Sequence, residues 1–395
     1  MKDEKTMDHA RRIDEITARF KKLYGRGPEH WARAPGRAEL LGTDTDDNQG
    51  YVLTMSIHLD AWIAFARAEA PRVRIHSMNL DRGTEFMIGC EPEKPSPSWD
   101  RYVSGVSKVL LAEGHRPTGV DAVVHGTVPI GGGLSSSASL EVAAALMFKT
   151  AGSFSLEPKQ TALICQRAEN ESVGVMCGVL DQYSSVFGKR GAALLLDCRS
   201  LTHVEVRIPQ DIKIVICDTN VPRTLSGSEY GKRRMETEEG TRILRGLDPE
   251  ILTLRDVNTP LFERLEGSLP ETIRRRCRFI VEENQRVMDF TAAVVRNDRV
   301  CMSGICERSF CGVRDLYEKT IPAMERMFES MSAAPGVIAA RQSGGGFGGC
   351  LIAYVDAGRV EDFSAYVKDS YKGKTGIAPA VYITEPSEGA GMLRP

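Results

Sequence analysis

The sequence predicts an α+β protein of two domains, and three observations lead there. A chain of 395 residues is longer than one average domain sustains around a single core. Its first half interleaves strand-like and helix-like segments, whereas Tyr230 to about Ser330 reads as mostly helical and rich in charge. The stretch "VIAARQSGGGFGGCLIAYV" then returns to strand, glycine loop and strand. A boundary is expected between Ser200 and Val221, giving domains over residues 1–205 and 206–395, with the later strands free to pair into either.

Taken in order, Asp8 to Tyr24 places Ile13, Ile16, Phe20 and Leu23 at helical spacing and stops at Gly25-Arg26-Gly27-Pro28, so a first helix is expected. Trp31 to Ala34 and Tyr51 to Ala66 read as strands, with "GRAELLGTDTDDNQGYVL" as their connection. A strand pair follows at Val73 to Met78 and Glu85 to Ile88, then the Pro-rich loop "CEPEKPSPSWD". Tyr102 to Glu113 reads as a helix and Val120 to Val128 as a strand. The alanine-rich run Ser137 to Phe148 is strongly helical, Lys159 to Val173 gives a second helix, and strands Ala192 to Leu196 and Lys213 to Cys217 close the first half. No internal repeat or low-complexity tract is present.

The totals exclude several classes. With 51 basic and 53 acidic residues the net charge is -2, so no global field recruits nucleic acid or an anionic membrane, and a small ligand is expected. The longest apolar stretches are strand-sized, far short of the roughly 20 residues a bilayer requires. The start, "MKDEKTMDHARRIDEI", carries charge throughout and no apolar core, so a cytoplasmic location is expected. Ten cysteines lie scattered without a CxxC pair, and the five-residue spacing of Cys301, Cys306 and Cys311 suits neither common zinc patterns nor tight disulfides; buried free thiols are expected.

Three stretches carry chemistry. In "PIGGGLSSSAS" the glycines permit tight positive-φ turns, and the helix behind them offers free amides and a positive dipole end to an anion, with phosphate the expected guest. No Gly-Lys-Ser/Thr closes the loop, so it is not a Walker A sequence, though its serines suit Mg²⁺ or phosphate oxygens. A serine-capped helix behind a flexible turn is the plainer reading of the same residues. Gly344 to Gly349 formally matches GxGxxG, but a strand-like segment follows where a dinucleotide site needs a helix. Such glycine density marks close backbone approach, and packing against the first glycine loop would account for it. Asp181, in "CGVLDQYSS", sits beside a glutamine in an otherwise apolar turn, a setting that holds a carboxylate as a base.

Together, "APGRAELLGTDTDDNQGYVL", "VPIGGGLSSSASLEVA" and "ARQSGGGFGGCLIAYV" resemble the three signature motifs of the GHMP family of small-molecule kinases, in the family's order and over nearly the whole chain. "CGVLDQYSSVFG" and "CDTNVPRTLSGSEYGKRRMETEE" are similar to its galactokinase branch and not to mevalonate or homoserine kinases. The resemblance implies the two-domain GHMP kinase fold, an N-terminal mixed α/β domain and a C-terminal α+β domain, with ATP and Mg²⁺ in the cleft between. It implies Asp181 as base or orienting acceptor for the anomeric hydroxyl of a sugar, with Arg37 paired to it and to the transferring phosphoryl group. Gly131, Gly132, Gly133, Leu134, Ser135, Ser136 and Ser137 would cradle the triphosphate, and Ser137 and Glu169 match Mg²⁺ ligands. Trp99 matches an aromatic residue that stacks near adenine, although a core position suits it equally. Gly344, Gly345, Gly346 and Phe347 form a supporting loop, and Gly178, Asp46 and Tyr230 belong to the sugar site. The implied partners are a small-molecule sugar and ATP, with the chain a monomer or weak homodimer.

Sugar recognition departs from the family pattern. Where the family reads Gly-Glu-His-Thr-Asp-Tyr, this chain has Gly42, Thr43, Asp44, Thr45, Asp46 and Asp47, and Asn170 and Phe310 stand where galactokinases often have histidine. Thr43 removes a charge that would repel a C6 carboxylate, which suits galacturonate; Asp44 restores one, and a buried like-charge contact is costly. Alternatively Asp44 accepts the hydroxyl and keeps a neutral hexose, or favours an amino sugar. Galactose is the expected substrate for anomeric phosphorylation, with galacturonate, galactosamine or arabinose as alternatives, and a non-catalytic sugar and ATP sensor as the reading from another class.

Overall fold

In the computed structural model, which describes residues 9–92, 99–221 and 226–394, the chain opens with helix α1 (His9–Tyr24) and strands β1 (His30–Leu41), β2 (Tyr51–Arg67), β3 (Arg72–Ser77) and β4 (Arg82–Met87). Helix α2 (Asp100–Ala112), β5 (Val120–Gly126), α3 (Ser136–Gly152), α4 (Pro158–Ala168) and α5 (Leu180–Phe187) follow. Strands β6 (Ala192–Asp197), β7 (Thr202–Arg207) and β8 (Ile212–Asp218) lead to the helices α6 (Ser226–Leu247), α7 (Thr259–Leu265), α8 (Glu271–Val295), α9 (Arg299–Gly312) and α10 (Pro322–Ser332). The chain ends with β9 (Val337–Gln342), β10 (Cys350–Asp356), α11 (Val360–Thr375), β11 (Ala380–Thr384) and β12 (Gly391–Leu393). The expected Pro-rich loop at 93–98 lies outside the described residues, as do 222–225.

Strand β2 organises the first sheet. Its start pairs with β6, its end pairs with β5, and β1 runs antiparallel along its other edge. The eight-stranded sheet has the order β12-β1-β2-β5-β3-β4, with β6 and β7 branching from β2. The second sheet, β11-β8-β10-β9, is antiparallel throughout. Strand β7 belongs to the first sheet and β8 to the second, while β12 returns to pair with β1, so the last residues rejoin the first sheet.

β2 shows only a loose polar alternation because both its faces are covered. On one face α1 packs Ile16 and Phe20 against Trp31, Trp62 and Val123. On the other, the small residues of α3 let the helix approach Ala34, Ile63 and Phe65 closely, with Val106 and Leu110 of α2 alongside. A second core joins the sheets, with Leu40, Leu53 and Ile57 meeting Phe290 and Ile305 of α8 and α9, and Ile214, Ile352 and Tyr354 beyond them. Helices α10 and α11 cover the outer face of the second sheet through Met324, Met327, Phe363 and Val367. Two ion-pair clusters brace the first sheet. Asp60 of β2 accepts from Arg12 of α1 and Arg33 of β1, each at 2.6 Å, and Asp197 at the end of β6 accepts from Arg255 at 2.7 and 2.8 Å.

Several expectations are corrected. The segment "GRAELL" is strand, not connection, because the charges of Arg37 and Glu39 are buried and paired with Asp181 and Arg341; only residues 42–50 connect β1 to β2. Asp181 lies in the first turn of α5 rather than in an apolar turn. The expected helix from Lys159 to Val173 ends as α-helix at Ala168 and continues as a π-helical turn over Glu169–Val173. Strand β7 was not expected, since an edge strand burying only Val206 carries little apolar signal. All ten cysteines are free, and Cys90 is exposed. Among the described residues no helix is long and apolar enough to cross a membrane.

Candidate active site

A cavity of about 730 Å³ opens where the end of β1, the 42–50 connection, the glycine-serine loop and the start of α5 face α6 and the second glycine loop. The glycine-serine loop is pressed onto β1. A Cβ at Gly36 would lie 2.5 Å from the Leu134 carbonyl oxygen, and the Arg37 amide donates to that same oxygen at 3.1 Å. Gly131 and Gly133 adopt φ of 77° and 81°, and Ser135 is left-handed at 61°. Gly132 backs onto Asp218 of β8, whose Oδ2 lies 3.0 Å from where a Cβ would stand. The Leu134 side chain is fully buried in the core shared by the two sheets, so only its backbone serves the loop and its expected nucleotide contact is corrected.

Ser135 stands at the N-cap of α3 but does not cap it. Its hydroxyl instead donates to Asp181 Oδ2 at 2.5 Å. The amides of the first turn, at Ser136 and Ser137 on the cavity wall, are therefore left to an anion, with the helix dipole behind them. The plain reading of Ser135 as the helix cap is thus not met. Asp181 is held on its other oxygen by Arg37, from Nε at 2.8 Å and Nη2 at 2.6 Å, while Arg37 Nη1 donates to the Gly133 carbonyl at 2.7 Å. Both carboxylate oxygens are fixed, and the Asp181 side chain keeps 25% of its surface accessible from the cavity.

Behind this pair lies an acidic pocket. Burial and the nearby Asp181 push the Glu169 carboxyl up to about 7, against hydrogen bonds from Cys177, Ser137 and Gln182. Gln182 Nε2 donates to Glu169 at 2.8 Å and to buried Glu141 at 3.0 Å, so one amide joins two carboxyls. Among the described residues no group of three or more His, Cys, Asp or Glu side chains is arranged to hold a metal. Mg²⁺ seldom needs one, since it is bound by one or two carboxylates plus phosphates and water. Ser137 and Glu169, side by side at an uncapped helix terminus and short of positive charge, fit that requirement.

At the far end, the carboxylates of Asp44 and Asp46 line the cavity. Gly178 is required beside Asp46: a Cβ there would overlap Oδ2 and lie 2.6 Å from Cγ. The Asp46 carboxylate forms no hydrogen bond among the described residues, and burial with Asp47 and Asp44 nearby pushes its pKa well up. Asp44, left-handed at φ 58°, accepts from Lys319 Nζ on both oxygens, at 2.8 and 2.5 Å, and Lys319 is fully buried. The like-charge cost expected of Asp44 is thus offset by a cation that the sequence did not advertise. Tyr230 lines the cavity and donates to Asp47 at 2.5 Å.

Thr43 does not reach the cavity. It is 1% exposed, donates to Glu39 Oε1 at 2.7 Å and accepts from Arg341 Nη2 at 2.5 Å, so its expected sugar contact is corrected. Arg341, fully buried on β9, also reaches Glu39 and Glu283. Burial pushes the Glu39 carboxyl up, whereas Glu283, despite equal burial, is held low by Arg286 and Arg341. Trp99 both lines the cavity and packs against the first core. Gly344 and Gly345 line the cavity, but Gly346 and Phe347 turn to Lys319: its carbonyl accepts from the Phe347 amide at 3.0 Å and would meet a Cβ at Gly346 at 2.6 Å. This part of the loop buttresses Lys319. Asn170 accepts from the Cys177 amide, and Phe310 stacks on Phe328 in the core at 3.8 Å.

Residues 18–67 match the galactokinase galactose-binding signature, 101–189 the GHMP kinases N terminal domain and 292–373 the GHMP kinases C terminal domain. The galactokinase of Roseiflexus sp. (strain RS-1) is 36% identical over 380 residues, covering 96% of this chain and 97% of that protein. The crystal structure of Lactococcus lactis galactokinase complexed with galactose superposes with a TM-score of 0.92 at 29% identity, over 96% of this chain and all of that one. A crystal structure of mevalonate kinase shares the fold at a TM-score of 0.61 and 14% identity, over 90% of this chain and 98% of that one. With its expected two-domain GHMP kinase fold matched and a close relative spanning its length, the chain belongs to the galactokinases of the GHMP kinase family.

Proposed function

We propose that the protein transfers the γ-phosphoryl group of ATP to the anomeric (C1) hydroxyl of galactose. The observation that carries this reading is the fixing of both Asp181 oxygens, by Arg37 and Ser135, beside the uncapped start of α3 in one cavity. In this reading Asp181 accepts the hydrogen bond of the C1 hydroxyl, aims its oxygen at phosphorus and receives the proton as the bond forms. Phosphoryl transfer spreads charge over three equatorial oxygens, and the Arg37 guanidinium with the α3 amides meets that charge in a site already organised for it. Ser137 and Glu169 would hold Mg²⁺, which when bound neutralises phosphate charge. On this reading Trp99, on the cavity wall, stacks on the adenine ring, and Asp46, Asp44 and Tyr230 receive the sugar hydroxyls.

The test supplies ATP and Mg²⁺ with galactose, galacturonate, galactosamine, arabinose or glucose, reads ADP release, and locates the phosphate by NMR. Galactose is expected to react fastest, with phosphate on the C1 oxygen. ATP and sugar binding without any phosphorylated product would replace the kinase by a sensor, and faster turnover of another sugar would replace galactose.

A further inference from the structure

Glu39 has no role in the reading so far, yet it is a carboxylate on the wall of the cavity, 3% exposed, in the middle of a strand. Its two oxygens are treated differently. Oε1 accepts from the Thr43 hydroxyl at 2.7 Å and from both terminal nitrogens of Arg341, at 3.2 and 3.3 Å. Oε2 receives no hydrogen bond among the described residues. The backbone is held as firmly, since the Glu39 amide donates to Ser343 Oγ at 3.1 Å and its carbonyl accepts from Arg341. Oε2 is not among the side-chain atoms sealed from solvent without a partner, so it keeps accessible surface and is open to a donor from the cavity. That cavity is already read as holding a polyhydroxylated ligand.

We infer that Glu39 is a specificity residue for the sugar, its Oε2 accepting a hydrogen bond from one hydroxyl other than the anomeric one, with Thr43 and Arg341 setting its aim. The inference rests on the sugar-kinase reading and deepens it. Asp181 holds the reacting end beside Arg37 and Ser135, while Glu39 reaches the cavity from β1, two residues beyond Arg37 and with Asp44 also near it, so the two carboxylates come to one ring from different elements. A threonine at 43 then has a purpose in this chain: it donates its hydroxyl to the acid four residues earlier.

The experiment crosses a variant with a substrate series. Wild type and Glu39→Gln are assayed with galactose and with its 2-, 3-, 4- and 6-deoxy forms. Glu39→Gln should lower kcat/KM for galactose by about 10- to 100-fold, the loss of one hydrogen bond to a charged group. For one deoxy sugar the two enzymes should be equal, because the hydroxyl that Glu39 reads is gone. Thr43→Val, which leaves the cavity wall intact, should show a smaller defect that vanishes with the same deoxy sugar, and it serves if Glu39→Gln does not fold. An equal defect across all five sugars, or none with galactose, overturns the inference. Failure of the wild type to phosphorylate any sugar overturns the kinase reading instead, and deoxy-sugar binding by calorimetry then tests Glu39 alone.

Discussion

Gly178→Ala is the smallest change that reaches the sugar end of the cavity. A methyl group there overlaps Asp46 Oδ2 and stands 2.6 Å from Cγ and 3.2 Å from Cβ, so the three nearest atoms all belong to Asp46 and its carboxylate must swing away. Gly178 carries no left-handed φ, so alanine brings no left-handed backbone strain, and the effect falls first on Asp46. Losing one charged hydrogen bond to a sugar hydroxyl costs about 1.5–3 kcal/mol, or roughly 10- to 150-fold in kcat/KM for galactose. Steady-state kinetics with each substrate varied in turn reads this directly. The galactose term should carry the whole loss, while the KM for ATP and the melting temperature stay near wild type. A Gly178→Ala protein with unchanged galactose kinetics would show that Asp46 does not bind the sugar, and an equal loss toward ATP would show that the displacement spreads through the site.

Three further outcomes follow from the geometry. Asp60→Ala strands the buried guanidinium of Arg12 and weakens the hold on Arg33, so urea unfolding should show a loss of about 3–5 kcal/mol; a loss below about 1 kcal/mol would deny the cluster a structural role. Arg255 holds the Asp197 carboxyl well below its ordinary range, so this pair's stabilisation is full above the unfolded-state pKa of about 4 and fades as pH falls toward the native value. The melting-temperature gap between wild type and Asp197→Asn should therefore be constant near neutrality and close in acid; a gap that persists at the lowest pH would refute the assignment. Glu169→Gln should raise the Mg²⁺ concentration needed for half-maximal turnover without altering the KM for galactose, and a shift confined to galactose would remove Glu169 from the metal.

The sequence was legible where local chemistry decides. Three glycines and three serines before an alanine-rich run fix the turn and helix start around Ser135, and the apolar spacing of Ile13, Ile16 and Phe20 fixes α1. It was opaque where a residue's meaning lies in a partner far along the chain. Arg37 and Glu39 made a strand look like a loop, because Asp181 and Arg341, which receive them, are 144 and 302 residues away. Lys319 gave no signal beside Asp44, 275 residues before it, although the pair decides what charge the cavity presents. Thr43 looked like a specificity residue in the motif, yet its hydroxyl is spent on Glu39. An acid between Ala38 and Leu40, inside an apolar segment, was the one sign of Glu39 available without coordinates.

The placement of Asp181 carries the proposed chemistry, and Asp181→Asn measured in a single turnover tests it most directly. Asparagine keeps the shape but cannot take the proton, so the rate of phosphoryl transfer to galactose should fall by about 10²- to 10⁴-fold while the affinities for galactose and ATP hold near wild type. Transfer at a near wild-type rate would contradict the account.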